Sequence, residues 1–355
     1  MDLQNFLAAI AVVINGLPQG LLALTFGFAA FPTALAFLVG CGGMLFFGQV
    51  APISFQAESI VMAGTMGCDR EERLNIVFYT GIAMSVIGGI GLLQPTIDFI
   101  GPAILNGMMA GVGITLAKVG VDMTKEDVKV GAVSVFCAVV TYFISKNLVY
   151  TIVISVFIST FASFFLTKKK FIGNADEKVS ERLTYERLIV LKLKCNYNIV
   201  RSVLAMITLQ IGGNIAYASI TGNLAKTATN VDYVTLYSGI GDAISAFFGG
   251  GPVEAIISGT AVAPDPIVAG AAMMLIMAAI LFAKLLPKIA KYVPSQTIAG
   301  FLLVLGAIVV FPVNIEAGFA EGSVTTSVTA IVTATTDPFL GMLAGIAVRY
   351  LSLVF

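Results

Sequence analysis

Three acidic residues stand inside long apolar runs of this chain: Glu58 in SFQAESIVMAG, Asp242 in SGIGDAISAFF and Glu254 in FFGGGPVEAIISG. A charged side chain at bilayer depth costs roughly 2.5 to 3.5 kcal/mol on insertion scales, so each is a functional candidate and a natural proton handle. Glu58 follows Phe55 and Gln56, and a ring, an amide and a carboxyl together suit a flat ligand that hydrogen-bonds at its edge. Glu254 carries two readings. It is a proton carrier, or it is a capping acid, because GGGPVE reads as Pro at the first helical position and Glu at the third. Asp242 reads equally as a helix-start residue. Gln210 and Asn214, four apart in MITLQIGGNIAYASITGN, share one helix face, where amides offer donor and acceptor to a ligand or hold helices together. Asn15, Pro18 and Gln19 in INGLPQG are a weaker counterpart in the first half.

The elements that must position these groups are membrane helices. The chain has 355 residues, 58% of them hydrophobic and 11% charged, with a mean hydropathy of +0.96, whereas soluble domains carry about 25% charge. A crossing needs roughly 20 apolar residues, so this length holds up to about 14 crossings and excludes a large soluble domain. Twenty basic and twenty acidic residues cancel, which removes the basic stripe that nucleic-acid binding requires. The absence of histidine removes His-based acid/base and metal chemistry, and no Trp belt is present. Cys41, Cys68, Cys137 and Cys195 are scattered without metal or disulfide spacing. With no phosphate-binding loop either, the sequence reads as neither an enzyme nor a cofactor carrier. The opening MDLQNFLAAIAVV lacks a basic n-region and cleavage site, so the first stretch is expected to remain as a span of a multi-pass protein of the cell (inner) membrane.

A window of about 19 residues finds apolar segments near 5–25, 30–48, 51–66, 73–93, 96–121, 128–147 and 149–167, then near 199–219, 233–249, 252–265, 267–290, 295–312, 320–335 and 338–355. This gives a first repeat over 1–167, a polar connecting loop over 168–198 and a second repeat over 199–355. Seven is odd, so the second half inserts upside down relative to the first, the construction of inverted-repeat transporters. Local punctuation agrees: Pro52 follows Gly48 in the third segment, and Pro252 follows Gly249, Gly250 and Gly251 in the tenth. Gly107 and Gly113 after Pro102 match Gly300 and Gly306 after Pro294. Short, Gly/Pro-broken segments at matching positions point to a transporter binding site. The expectation is an all-α polytopic membrane protein of about 14 segments in 7+7 inverted repeats, with the site between segments 3 and 10. No ATP-binding motif appears, so an ion or substrate gradient drives transport.

FIGPAILNGMMAGVGITLA resembles the fifth-helix motif of the nucleobase/ascorbate transporters (nucleobase-cation symporter-2, the xanthine/uracil permease family). SGIGDAISAFFGGGPVEAIISGTAV resembles that family's ninth-to-tenth-helix signature, and the likeness runs over most of the chain. The resemblance implies a core domain of segments 1–4 and 8–11, a gate domain of segments 5–7 and 12–14, and a homodimer through gate helices. It also implies short strands framing a planar base such as a purine, xanthine or uracil, symported with a proton or sodium ion. The family's helix-8 acid falls near Gln210, with Asn214 the other candidate, and its helix-10 acid falls near Ser258, one turn after Glu254. Neither position carries an acid here. Residue reading and resemblance together assign substrate binding to Phe55, Gln56, Glu58, Gln210, Asn214, Glu254 and Ser258, with Glu58 and Glu254 as proton-coupling groups.

The alternative keeps the fold and changes the cargo to sulfate, bicarbonate or a carboxylate, because two opposed half-helix N-termini make a positive site. Glu254 in the first turn of helix 10 argues against it. For orientation, seventeen of the twenty basic residues, Lys178 among them, fall in or beside connections after segments 3, 5, 7 and 11. The positive-inside rule then places both termini outside, whereas the resemblance implies cytoplasmic termini.

Overall fold

A computed structural model describes residues 2–166, 186–290 and 293–354, so much of the expected polar loop, Lys178 included, lies outside the described residues. The first half forms α1 (Leu3–Thr25), α2 (Ala30–Phe47), β1 (Ile53–Ser54), α3 (Ala57–Met66), α4 (Arg70–Gly89), α5 (Leu93–Ile100), α6 (Pro102–Glu126), α7 (Val128–Ser145) and α8 (Leu148–Leu166). The second half forms α9 (Tyr197–Leu224), α10 (Val231–Phe247), β2 (Glu254–Ala255), a 3-10 turn (Gly259–Val262), α11 (Pro266–Phe282) and α12 (Leu285–Ala290). A 3-10 turn (Ser295–Ile298), α13 (Ala299–Val304), a π turn (Leu305–Val310), α14 (Phe311–Thr335) and α15 (Pro338–Val354) complete it. Among the described residues, five helical runs are long and apolar enough to cross a membrane. The protein is a multi-pass membrane protein of two inverted repeats of seven with core and gate domains.

Helix starts follow from polar residues at the ends of apolar runs. Asp69, Asp127, Asn196, Asn230 and Asp265 each accept backbone N–H groups of the turn they open, satisfying donors that a helix leaves unpaired. The twelfth segment does not end near 312 as the sequence suggests. The π turn re-spaces the carbonyl ladder ahead of Pro312 and the helix continues to Gly322, where the backbone leaves helical angles.

The chain divides into two compact units. One comprises Met1–Gln94, Ile172–Val203 and Gly213–Tyr292; the other comprises Pro95–Phe171, Leu204–Gly212 and Val293–Phe355. Within the first, α4 and α10 pack backbone to backbone. A Cβ on Gly81 would lie 2.5 Å from the Ala243 nitrogen, and one on Gly239 would lie 2.6 Å from the Ser85 nitrogen. Only glycine permits that approach, a common device where helices meet in lipid.

Hydrogen bonds gather several connections of this unit on one face. Arg70 donates from Nε to Gly27 O at 2.7 Å and from Nη2 to Gly249 O at 3.2 Å. Glu186 accepts the N–H groups of Ala30 and Phe31 at 2.8 and 2.7 Å, capping α2 from a distant stretch of chain. Ile189 and Leu191 N–H donate to Phe248 and Phe247 carbonyls, and Lys194 N–H donates to Asn75 Oδ1. The joined connections are those after segments 1, 3, 7 and 9, so the odd-to-even connections of this unit share a face, as alternating crossings require.

Candidate functional site

Two short, buried strands meet within the first unit. β1 and β2 pair antiparallel, with Ile53 opposite Ala255 and Ser54 opposite Glu254, so the Ser54 and Glu254 side chains share one face of the ladder. Backbone that is not helical survives at membrane depth only when protein or a wet cavity satisfies it. Here side chains do so, almost peptide by peptide. Thr33 Oγ1 accepts Gly251 N–H at 2.8 Å, and Ser245 Oγ donates to Gly251 O at 2.7 Å. Asp242 Oδ1 accepts Val253 N–H at 2.6 Å, and Ser238 Oγ donates to Val253 O at 3.2 Å. Ala255 N–H donates to Asn214 Oδ1 at 3.4 Å while its carbonyl accepts Gln56 Nε2 at 3.1 Å. Thr221 Oγ1 donates to Ile256 O and accepts Ser258 N–H, at 2.8 and 3.2 Å. Tyr237 OH donates to Ala51 O on the other strand's approach.

This corrects the expected tenth segment. Glu254 does not stand in the first turn of a half-helix; it lies on β2, and the helical part that follows is a four-residue 3-10 turn capped by Ser258. Gly249 takes a φ of +98°, the left-handed region that suits glycine, and Gly250, Gly251 and Pro252 then carry the chain on to β2 without a helical turn. The tenth segment therefore offers no half-helix N-terminus to an anion, and α3 is left to supply that charge.

The third segment does contain a half-helix. α3 has ten residues, and Gln19 Oε1 accepts the N–H of its first residue, Ala57, at 2.9 Å. Glu58 occupies the second position, in the first turn and 6% exposed. Its Oε1 accepts Tyr217 OH at 3.2 Å, whereas Oε2 is buried without a hydrogen-bond partner. Two further buried oxygens in the same short stretch, Ser54 Oγ and Ser59 Oγ, also have no partner. Across the site, a Cβ on Gly213 would meet the Tyr217 ring at 3.5 Å and Glu254 Oε2 at 3.7 Å, so the phenol ring and the second carboxyl lie side by side over that glycine.

The structure thus brings Glu58, Glu254 and the unforeseen Tyr217 together. Gln56, Asn214 and Ser258 are also close, but their polar atoms hold backbone: Gln56 and Asn214 clamp Ala255, and Ser258 accepts Thr260 N–H at 3.2 Å. Phe55 is 1% exposed, edge-on to Phe37 with ring centres 5.4 Å apart. Gln210 is buried, on the stretch of α9 that belongs to the second unit. Tyr217 was legible in outline, because Asn214, Tyr217 and Thr221 are three and four apart and so share one face of α9.

No protein-family model matches the sequence, and no curated protein matches it. Solved structures do. Over 97% of both chains the fold is similar to the transmembrane domain of a cyanobacterium bicarbonate transporter, BicA, with a TM-score of 0.67 and 13% identity. It is also similar to the murine Solute Carrier 26 family member A9 anion transporter in its inward-facing state, with a TM-score of 0.70 and 11% identity over 99% of this chain and 68% of the other. The resemblance to nucleobase/ascorbate transporters is thereby corrected: these neighbours are anion transporters, another branch of one architecture. The physical reason is that the glycine-rich stretches set helix packing, which branches of a fold share, and that two of the amides suited to a base edge, Gln56 and Asn214, are engaged by Ala255.

Proposed function

We propose that this chain is a secondary transporter of a small anion of the bicarbonate, sulfate or carboxylate class, working by alternating access. The observation that carries the reading is the near full-length likeness to anion transporters. It is supported by the N-terminus of α3, which meets the strand crossing inside one unit. A helix N-terminus carries about half a positive charge and favours an anion. The anion binds at the start of α3, beside the ladder, and an ion gradient supplies the energy through the buried carboxyls of Glu58 and Glu254. Gln19, Gln56, Asn214, Asp242 and Thr221 hold the non-helical backbone in place around the site.

The test is uptake by the purified chain in liposomes. Labelled bicarbonate, sulfate and succinate are offered with and without an inward proton or sodium gradient, beside a thermal-shift panel of the same anions. Gradient-driven accumulation of at least one anion, with matching stabilisation, is expected. If no anion is taken up or stabilises the protein at any pH from 5 to 8, the reading is wrong.

A further inference from the structure

Glu58 places a negative charge where an anion would bind. It stands at the second position of α3, its carboxylate is buried, one oxygen is held by Tyr217 and the other has no partner. The first N–H of the helix is already taken by Gln19. An ionised Glu58 therefore supplies this helix with an anion of its own, tethered and always present, and an incoming anion would meet its repulsion at close range in a medium of low dielectric. Ser54 Oγ and Ser59 Oγ, buried and unpartnered within five residues of each other, are the donors that a second anion would use.

We propose that Glu58 is a built-in competitor of the transported anion: the anion binds when Glu58 carries a proton and leaves when Glu58 gives it up, so one proton travels with each anion. This rests on the anion reading and specifies its coupling. In the step, a proton from the aqueous side closes the O–H bond at Oε2, the neutral carboxyl vacates the helix charge, and the anion takes the hydroxyl donors of Ser54 and Ser59. On the far side the proton leaves Oε2 and the anion is expelled. Tyr217 is the positioning residue, since its hydroxyl holds Oε1 and leaves Oε2 as the atom that takes the proton. The titratable groups around Glu58 are Tyr217 from α9 and Glu254 from β2, with Asp242 of α10 on the Val253 N–H. From α1 comes the neutral Gln19, and α4 carries Arg70, Glu71, Glu72, Arg73 and Tyr79.

The test measures anion affinity against pH for the wild type, Glu58→Gln, Glu254→Gln and Tyr217→Phe, each shown to be folded by size exclusion and thermal melting. Wild-type affinity weakens by about tenfold per pH unit once Glu58 loses its proton. Glu58→Gln, a permanent neutral mimic, binds the anion at the wild type's low-pH affinity across the whole range, and a proton gradient no longer drives accumulation. Tyr217→Phe, which keeps the ring and removes a donor to the carboxylate, moves the midpoint to higher pH. A Glu58→Gln protein that retains the wild-type slope, or that binds no anion while the wild type does, overturns the proposal. If the flat profile belongs to Glu254→Gln instead, the competitor is Glu254 and the proposal is likewise overturned. A wild type that binds no anion at any pH overturns the anion reading itself.

Discussion

Asp242 tests whether a buried acid of this chain serves structure rather than transport. It is 0% exposed on α10, and its Oδ1 accepts Val253 N–H at 2.6 Å, fixing the strand that carries Glu254. Replacing it with alanine leaves that N–H buried without its acceptor, at a cost of about 1 to 3 kcal/mol. Packing offers little relief, because a Cβ on Gly81 of α4 would lie 2.9 Å from the Asp242 Cβ, so the backbones are too close to collapse into the gap. Taking about 2 kcal/mol and roughly 1 to 2 °C per kcal/mol for a chain of this length, Asp242→Ala melts some 2 to 4 °C lower. Asp242→Asn keeps an acceptor of the same shape and loses the charge assistance, about half of the bond, so it falls by roughly 1 to 2 °C. The chain has no tryptophan, but Cys41 is 5% exposed, so in a background with Cys68, Cys137 and Cys195 replaced by alanine melting is read by a maleimide dye that fluoresces as Cys41 is uncovered. Both variants keep the wild-type pH profile of anion binding. An Asp242→Ala protein melting within about 1 °C of the wild type would refute the structural role, and a flattened pH profile in Asp242→Asn would make Asp242 a coupling group.

Two further outcomes are expected. Burial pushes the Glu186 carboxyl above its ordinary value of 4.5, against the opposing effects of the Ala30 and Phe31 N–H bonds and of Lys284 and Arg70. The folded chain then holds this proton more tightly than the unfolded one, so the stability it contributes is present at low pH and is lost as pH rises from 4.5 through the raised value. The melting temperature of the wild type minus that of Glu186→Gln therefore falls over that window and is level above it; a constant difference would refute the assignment. Second, Cys68 and Cys195 are exposed, on the face of the first unit that gathers Arg70, Lys194 and Lys284. By the positive-inside rule that face is cytoplasmic. With Cys41 and Cys137 replaced by alanine, an impermeant maleimide leaves intact cells unlabelled and labels them once Lys226→Cys is introduced at the opposite face. The reverse pattern would place the N-terminus inside.

Some of this site was legible because glycine and proline act locally. Gly48 and Pro52 end one helix and hold the chain extended, so the short α3 and the place of Glu58 follow from sequence. The matching stretch after Gly249 and Pro252 carries the same punctuation yet forms β2 and a 3-10 turn. Its state is decided from outside, by Thr33, Asp242, Asn214 and Thr221 reaching in from α2, α10 and α9, and tertiary hydrogen bonds of that kind leave no local periodicity. For the same reason Gln56 and Asn214 read as ligand-binding amides until Ala255 is seen between them. The cargo was illegible for another cause. Gly81 and Gly239 are required by the contact of α4 with α10, whatever the transported molecule.

The electrostatic sum at α3 also narrows the mode of transport. The helix start supplies about half a positive charge, and an ionised Glu58 more than cancels it. Adding a monovalent anion without a proton brings the total to about minus one and a half, in a region that Glu254 makes still more negative. With the proton on Glu58 the same anion meets a total of about minus one half, near what a helix start stabilises in known anion sites. Simple exchange of one anion for another relieves none of this, because Glu58 remains in place through the cycle. Transport that obeys the charge of this site therefore carries a positive charge with each anion, and a bicarbonate flux indifferent to pH would require either a metal cation such as sodium in place of the proton or a Glu58 that is neutral throughout.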